Sequence, residues 1–598
     1  MDYHTCPNLA AMFFAEATRQ GDRPFLWAKQ AGAYNALNWR EARQQVADLA
    51  KGLRALGIGR GDRVVLVAEN RPEWVIADFA IMSAGGITVP AYTTHTVDDY
   101  RHVMTNCAAK AVIVSTAALA RRVLPAAAQS SSVTTAVTIE PPDADVPARV
   151  VPRSWQAVCA LGAASPSNVE DWIGAIGHDD IACLIYTSGT GGAPKGVMTT
   201  HGNVLANCRS AFSLLEKLGL GHEVFLSFLP MSHSYEHTAG MMFPISLGAE
   251  IYFAEGAETL AANLIEARPT IMTAVPRLYE AFHQRILRAV EREGGLKAKL
   301  FFAALALGRK RYDQRNRLGP VEYIADAILD VLVRRKIKAR FGGRLKAMVS
   351  GGAALNPEIG RFFLALGLRL LQGYGQTEAA PVISANPPDH IKIDTVGLPV
   401  LGVEIGFAED GEILVRGDNV MKGYWNDAEA SARALADGWL HTGDVGRLDD
   451  EGFLVITDRK KDFIKTSGGE MVAPARVEGC LTLQSEIGQA MVAGDRQPYL
   501  VAVLVPSQHL IEESARRHRA AADTPLADRP DIREALAAAV TRANASLAPF
   551  ERIRRFLIAN EPFTTANHQM TPTLKIRRHV IRQAYGEALS ALCEKAGS

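Results

Sequence analysis

The stretch 184–198, LIYTSGTGGAPKGVM, narrows the folds open to this chain more than any other. The apolar run 181–186 that leads into it reads as a buried strand. It stops at a dense run of small and hydroxyl residues: Thr187, Ser188, Gly189, Thr190, Gly191, Gly192, Ala193, Pro194, Lys195 and Gly196. Glycine has no Cβ and tolerates the dihedrals that turn successive backbone N–H groups toward one anion. The hydroxyls add donors and Lys195 adds a positive charge, so the chemistry implied is a grip on a polyphosphate. A P-loop needs Gly, four residues, then Gly-Lys-Ser/Thr. Here Gly189 is followed by four residues and then Pro194-Lys195-Gly196, which lacks both the second Gly and the metal-binding hydroxyl.

The surrounding pattern is an alternation of strands and helices. Residues 39–56 carry apolar positions at helical spacing behind Asn38, a capping residue. Strands over 64–68, 87–91 and 111–115 alternate with a helix opening at Pro72 and another over 97–107. That alternation predicts a parallel sheet covered by helices. Residues 116–178 are Ala-, Ser- and Pro-rich and show no clear period. A second α/β run spans 201–371, ending in strands over 345–350 and 368–371 that each enter a Gly-rich turn. From 395 to 457 short strands alternate with turns at Glu409-Asp410-Gly411 and Asp449-Asp450-Glu451-Gly452, the pattern of a small β subdomain. The charged knot 458–461 has no apolar period and marks a boundary; an α+β region with strands over 489–493 and 500–505 follows.

With 598 residues the chain is too long for one core. A formal net charge of +1 gives no global argument for nucleic acid or an acidic partner. Seven scattered cysteines without C-x-x-C spacing suit a reducing compartment and speak against a zinc site. The first basic residue is Arg19, unlike a secretory leader, and no apolar run approaches the ~20 residues that span a bilayer. A cytoplasmic location is expected. Charge is nevertheless uneven: over 283–346, 17 lysines and arginines stand against six acids. This is either a solvated helical face or, because the apolar run 300–307 sits inside it, a patch for anionic lipid.

Further strings carry chemistry. Gln372-Gly373-Tyr374-Gly375-Gln376-Thr377-Glu378 follows a strand and so lies at the carboxyl edge of a sheet, where open α/β folds bind ligands. Tyr374 offers a flat face to a purine, and Glu378 an oxygen ligand suited to the Mg²⁺ that accompanies a triphosphate. Gly351, Gly352 and Ala353 form a second turn able to approach a base edge-on. Asp444, closing WLHTGD, could accept from both hydroxyls of a ribose. Cations come from 457–465 (TDRKKDFIK) and 570–575 (MTPTLK).

In this order, and together with 411–427 (GEILVRGDNVMKGYWND), these strings resemble the core motifs of the adenylate-forming superfamily over nearly the whole chain. Within it, 228–240 (FLPMSHSYEHTAG) and 570–578 (MTPTLKIRR) look most like bacterial long-chain fatty acyl-CoA synthetases. The resemblance implies an α/β fold: a large N-terminal domain, 1–460, of two α/β subdomains plus a small β-barrel subdomain, and a small mobile α+β C-terminal domain, 461–598. It implies ATP and Mg²⁺ as cofactors, coenzyme A as co-substrate and a fatty acid as substrate. Tyr374 would stack on adenine; Thr190 and Glu378 would hold Mg-ATP; Asp444 and Arg459 would hold the ribose. Lys575 would bridge carboxylate and α-phosphate oxygens, Lys461 falls on the hinge position, and His233 at the mouth of the acyl pocket. Amino-acid activators keep an Asp near this His233 stretch, and residues 231–240 contain none. No Asp-Ser dipeptide occurs to mark a fused carrier domain. Two other readings stay open: an acyl-AMP ligase that loads a separate carrier protein, and an inactive adenylate-binding scaffold.

Overall fold

The computed structural model describes residues 2–143, 148–187, 193–256, 258–314, 317–460, 462–517, 524–571 and 574–594. The expected helix behind Asn38 is Trp39–Ala55: Asn38 accepts from the Glu41 N–H while Glu41 accepts from the Asn38 N–H, a reciprocal cap. Its stripe of Ala42, Val46, Leu49 and Leu53 is fully buried. The helix opening at Pro72 is Pro72–Ser83, enclosed from Trp74 onward and mostly apolar, with buried Asp78 paired to His237 at 2.9 Å.

Two large sheets organise the N-terminal part. The first has seven strands in the order Val151–Ser154, Thr135–Thr138, Ala111–Val114, Arg63–Val67, Ile87–Pro90, Ile181–Thr187 and Lys195–Thr200. All neighbours are parallel except the last pair, which is antiparallel, with Thr187 opposite Lys195. These two strands flank the Gly-rich stretch, and Lys195 begins a strand rather than ending a loop. The unassigned stretch 116–178 supplies the two outer strands of this sheet and the helices Ala117–Gln129, Trp155–Ala163 and Val169–Ile173.

The second sheet has nine strands: Leu398–Pro399, Val382–Ala385, Leu370–Gly375, Ala347–Ser350, Ile271–Ala274, Val224–Ser227, Glu250–Phe253, Pro24–Gln30 and Ala33–Asn38. Its middle is parallel, as the second α/β run predicted. Its far edge is an N-terminal hairpin absent from the sequence reading, in which Leu26 pairs in parallel with Ile251. One continuous apolar core ties both sheets together: Val64 and Leu66 from the first, Phe225 and Ile251 from the second, Phe79 and Ile81 from the enclosed helix.

The β subdomain is an antiparallel half-barrel of Val403–Phe407, Glu412–Gly417, Leu440–Leu448 and Leu454–Arg459. Beyond it the C-terminal domain packs Pro474–Thr482, Pro530–Asn544 and Arg578–Glu594 around a three-stranded sheet, Ile487–Ala493, Leu500–Pro506 and Ile553–Ile558. That domain rests on the larger one through Arg277, which donates to the Gly488 carbonyl at 2.5 Å, and Asn356, which donates to the Gly479 carbonyl at 2.9 Å.

The apolar run 300–307 is split between two faces, with Phe302, Ala303 and Ala306 exposed. Phe301, Ala304 and Leu305 are buried in a core shared with Phe362, because the helix Gly295–Asp313 lies against Pro357–Ala365.

Candidate active site

The carboxyl ends of both sheets, the half-barrel and the C-terminal domain enclose one cavity of about 1280 Å³. Its polar end gathers Tyr374, Thr377, Glu378, Asp444, Arg459 and Lys575 from four separate segments of the chain. Strand register explains much of this. Asp444 and Arg459 stand opposite each other on adjacent antiparallel strands, and the Arg459 Nε lies 3.3 Å from the Asp444 carboxylate. The other Asp444 oxygen accepts from the Tyr374 hydroxyl at 2.6 Å. Burial raises the Asp444 carboxyl above its ordinary range, opposed by the Arg459 cation.

Glu378 follows Tyr374 across a tight turn, Thr377–Ala379. Gly375 makes this turn possible, since a Cβ there would lie 1.9 Å from the Pro381 carbonyl oxygen. One Glu378 oxygen accepts from the Tyr424 hydroxyl at 2.9 Å. Tyr424 belongs to the 411–427 string but drew no role from sequence. It reaches the site because 423–425 pairs with the edge strand: the Trp425 N–H donates to the Gly196 carbonyl and the Met198 N–H to that of Gly423. Lys195 sits beside this segment, 3.0 Å from Asp427 and over the Tyr424 ring, and does not line the cavity.

Thr187, Gly351, Gly352, Gly373, Gly375 and Thr377 line the cavity. Ala353 is exposed and Gln372 is buried behind the wall. Ser188, Gly189, Thr190, Gly191 and Lys461 lie outside the described residues. Ser234, not singled out from sequence, shares a 3.0 Å hydrogen bond with Thr377.

Lys575 enters from the C-terminal domain. Burial first, then the Arg459 cation, lower its ammonium to about 8, while Asp444 and Glu378 pull the other way. Burial, with the Lys575 charge, likewise lowers His233 to about 3, so that imidazole is neutral at neutral pH. His233 Nδ1 accepts from the Tyr235 N–H at 3.1 Å and fixes the turn into a wide π-helical segment, Glu236–Met242. Beyond His233 the cavity becomes apolar, walled by Leu214, Phe225, Phe243, Ile271 and Val349. The arrangement can hold an anionic, ribose-bearing ligand at one end and an alkyl group at the other, with a cation at their junction.

Comparisons with known proteins agree with this geometry. The family model described as AMP-binding enzyme matches residues 13–425, and that of the AMP-binding enzyme C-terminal domain matches 461–596. A long-chain-fatty-acid–CoA ligase of Mycobacterium tuberculosis is 32% identical over 98% of this chain and 97% of its own. The peroxisomal long chain acyl-CoA synthetase 6 of Arabidopsis thaliana is 31% identical over 95% of this chain and 83% of its own. Among solved structures, the A domain of a carboxylic acid reductase from Segniliparus rugosus with AMP is 22% identical. It superposes with a TM-score of 0.79 over 99% of this chain and 94% of that one. A benzoate CoA ligase from Burkholderia xenovorans gives 0.70 at 24% identity, over 96% and 99%.

Proposed function

Because the chain belongs to the AMP-binding enzyme family, we propose that it is an ATP-dependent, AMP-forming long-chain fatty acid–CoA ligase. The observation that carries this reading is the meeting of Lys575, Glu378, Asp444 and His233 around one cavity with an apolar arm. The names of full-length relatives at about 30% identity supply the substrate class.

A carboxylate is a poor electrophile, and the ligase answers this in two steps. One oxygen of the fatty carboxylate attacks the α-phosphorus of ATP, and pyrophosphate leaves with the bonding electrons. The sulfur of coenzyme A then attacks the acyl carbonyl of the mixed anhydride; the thiol proton is lost, and AMP leaves. Asp444 and Arg459 orient the ribose, and Tyr374 the purine. Lys575 meets the charge that builds on the carboxylate and α-phosphate oxygens, so catalysis is positioning and charge stabilisation. The neutral His233 ring marks the passage from polar to apolar wall and can donate or accept without a charge beside the alkyl chain. Glu378, a lone carboxylate with one oxygen steadied by Tyr424, fits an ion that takes most ligands from phosphate and water. Thr190 is assigned as its partner. Bound with the triphosphate, Mg²⁺ supplies charge neutralisation.

One cavity must serve both steps, and Lys575 has to leave before the thiol can approach. We assign the swing to a C-terminal domain beginning at 461, with Lys461 as its hinge. Peripheral contact with a membrane through the basic segment 283–346 belongs to the same reading, at the cytoplasmic face. No helix among the described residues is long and apolar enough to cross a membrane.

The test is thioester formation from ATP and fatty acids of graded length, offered coenzyme A or an acyl carrier protein. A CoA thioester with long acyl chains is expected. Transfer to the carrier alone would make the chain an acyl-AMP ligase, and no adenylate from any acid would leave a scaffold.

A further inference from the structure

The helix Pro320–Leu329, continued by the π-turn Asp330–Arg334 and the helix Arg335–Arg340, is inside out. A surface helix ordinarily buries its apolar stripe and shows charge to water. Here the charged residues of 320–334 turn toward the protein. Asp326 is buried between Arg311 at 2.9 Å and Arg334 at 2.7 Å. Arg334, 1% exposed, also donates to the carbonyls of Ala304 and Ala365, and Glu322 pairs with Lys310. What faces out is Val321 at 80% exposure, Ile324 at 65%, Ile328 at 53% and Val331 at 50%, with Tyr323 and Leu332 beside them. Every exposed residue from 319 to 332 is apolar or Gly.

Charge brackets this face with one sign. Among the described residues of 296–340, the exposed cations are Lys297, Lys299, Arg317, Arg335, Lys336 and Arg340; Asp313 is the one exposed acid. Lys299, Arg317, Lys336 and Arg340 make no ion pair among the described residues, whereas Arg335 is tied to Asp330 and Lys297 to Glu293. A contiguous apolar face of this kind marks an interaction surface. A second copy of the chain apposed on it would bring the same cations against each other. A bilayer offers anionic headgroups at the rim and acyl boundary at the centre.

We infer that Val321, Ile324, Ile328 and Leu332 dock this protein onto an anionic lipid surface, with Arg317, Lys336 and Arg340 engaging the headgroups. This places the membrane contact on residues 317–340, within the basic segment 283–346. The inference rests on the helix face and stands whether or not the substrate reading holds.

Flotation of the full chain with vesicles of phosphatidylcholine alone, or with phosphatidylglycerol added, tests it. The wild-type chain should float with the anionic vesicles and weakly with the neutral ones. Ile324→Glu with Ile328→Glu should lower partition on the order of a hundredfold, from two lost apolar anchors. Lys336→Glu with Arg340→Glu should lower it by roughly thirtyfold on anionic vesicles only. As a gain of signal that needs no loss of binding, Ile328→Trp should shift its fluorescence to the blue on adding anionic vesicles. ATP–pyrophosphate exchange in vesicle-free buffer should be unchanged in all variants, which separates a failed docking surface from a failed ligase reading. Wild-type chain that stays with the soluble fraction overturns the inference. So does flotation indifferent to Ile324 and Ile328, or a wild-type dimer in sedimentation that the Ile324→Glu, Ile328→Glu pair dissolves without any vesicle binding.

Discussion

The Tyr374 hydroxyl donates to Asp444 at 2.6 Å across the gap between the nine-stranded sheet and the half-barrel. The residue assigned to the purine thereby holds the carboxylate assigned to the ribose. Two contacts that look separate in sequence, 70 residues apart, act as one.

Tyr374→Phe keeps the ring and removes the tether. Losing a hydrogen bond to a charged acceptor costs about 1.5–3 kcal/mol where nothing replaces it. Because Asp444 serves ground and transition states alike, the loss should raise the KM for ATP roughly tenfold with little change in kcat. Asp444→Ala should raise it further. Steady-state kinetics with ATP as the varied substrate settles it; an unchanged KM would sever the two residues.

Lys575→Ala should cut adenylation by two to three orders of magnitude, roughly 2.7–4 kcal/mol of lost charge stabilisation. Thioester formation from supplied acyl-AMP should survive. The lowered ammonium adds a pH signature. With its proton leaving near 8 instead of the ordinary 10.5, the cation is present below that pH and lost above it. Adenylation should therefore fall as pH rises through about 8, and Lys575→Arg should abolish that alkaline limb. A wild-type exchange rate flat to about pH 10 would show that Lys575 keeps its proton.

Glu236 is fully buried beside the apolar arm, bonded by Thr273 at 3.0 Å, and burial raises its carboxyl to about 7. Between the unfolded value of 4.5 and 7 the folded chain binds the extra proton, so wild-type stability must fall as pH rises through that window. Above 7 the contribution is constant. Glu236→Gln carries no such penalty. Its unfolding temperature relative to wild type should climb from pH 5 to pH 7.5; a constant difference would mean that the carboxyl titrates normally.

Elements with a local period were legible in sequence. Trp39–Ala55 announces itself by its stripe and by the Asn38–Glu41 cap, and the parallel strands by short apolar runs. Pairings set by distant chain were not. The strand Pro24–Gln30 is only partly buried, and its parallel partner Glu250–Phe253 lies more than two hundred residues away. Tyr424 reaches Glu378 only because its segment pairs with Lys195–Thr200, and no string encodes that register. The basic segment showed its charge but not its direction: burial of Asp326 and Arg334 depends on Ala304 and Ala365, carbonyls on two other helices. Side-chain type was read correctly there; facing was not readable.

The last prediction concerns the observed placement of the C-terminal domain, in which Lys575 lines the cavity. Two hydrogen bonds hold that orientation from the far side: Arg277 to the Gly488 carbonyl and Asn356 to the Gly479 carbonyl. Asn356 also caps the helix Pro357–Ala365 through its carbonyl oxygen, which accepts from the Glu358 N–H at 3.0 Å. Asn356→Asp keeps that cap and deletes only the donor to the partner domain. Combined with Arg277→Ala, it removes two bonds worth about 1 kcal/mol each. A shift of about 2 kcal/mol moves a two-state domain equilibrium by roughly thirtyfold, and adenylation should slow by up to that factor if this orientation makes the adenylate. Thioester formation from supplied acyl-AMP should hold or rise, because leaving the orientation becomes easier. Lys461→Pro, which fixes φ at the assigned hinge, should give the opposite pattern: adenylation retained and thioester formation lost. Both half-reactions, measured on the same preparations, distinguish the cases. Equal losses in the two for the Arg277→Ala, Asn356→Asp pair would assign these contacts to packing and not to the swing.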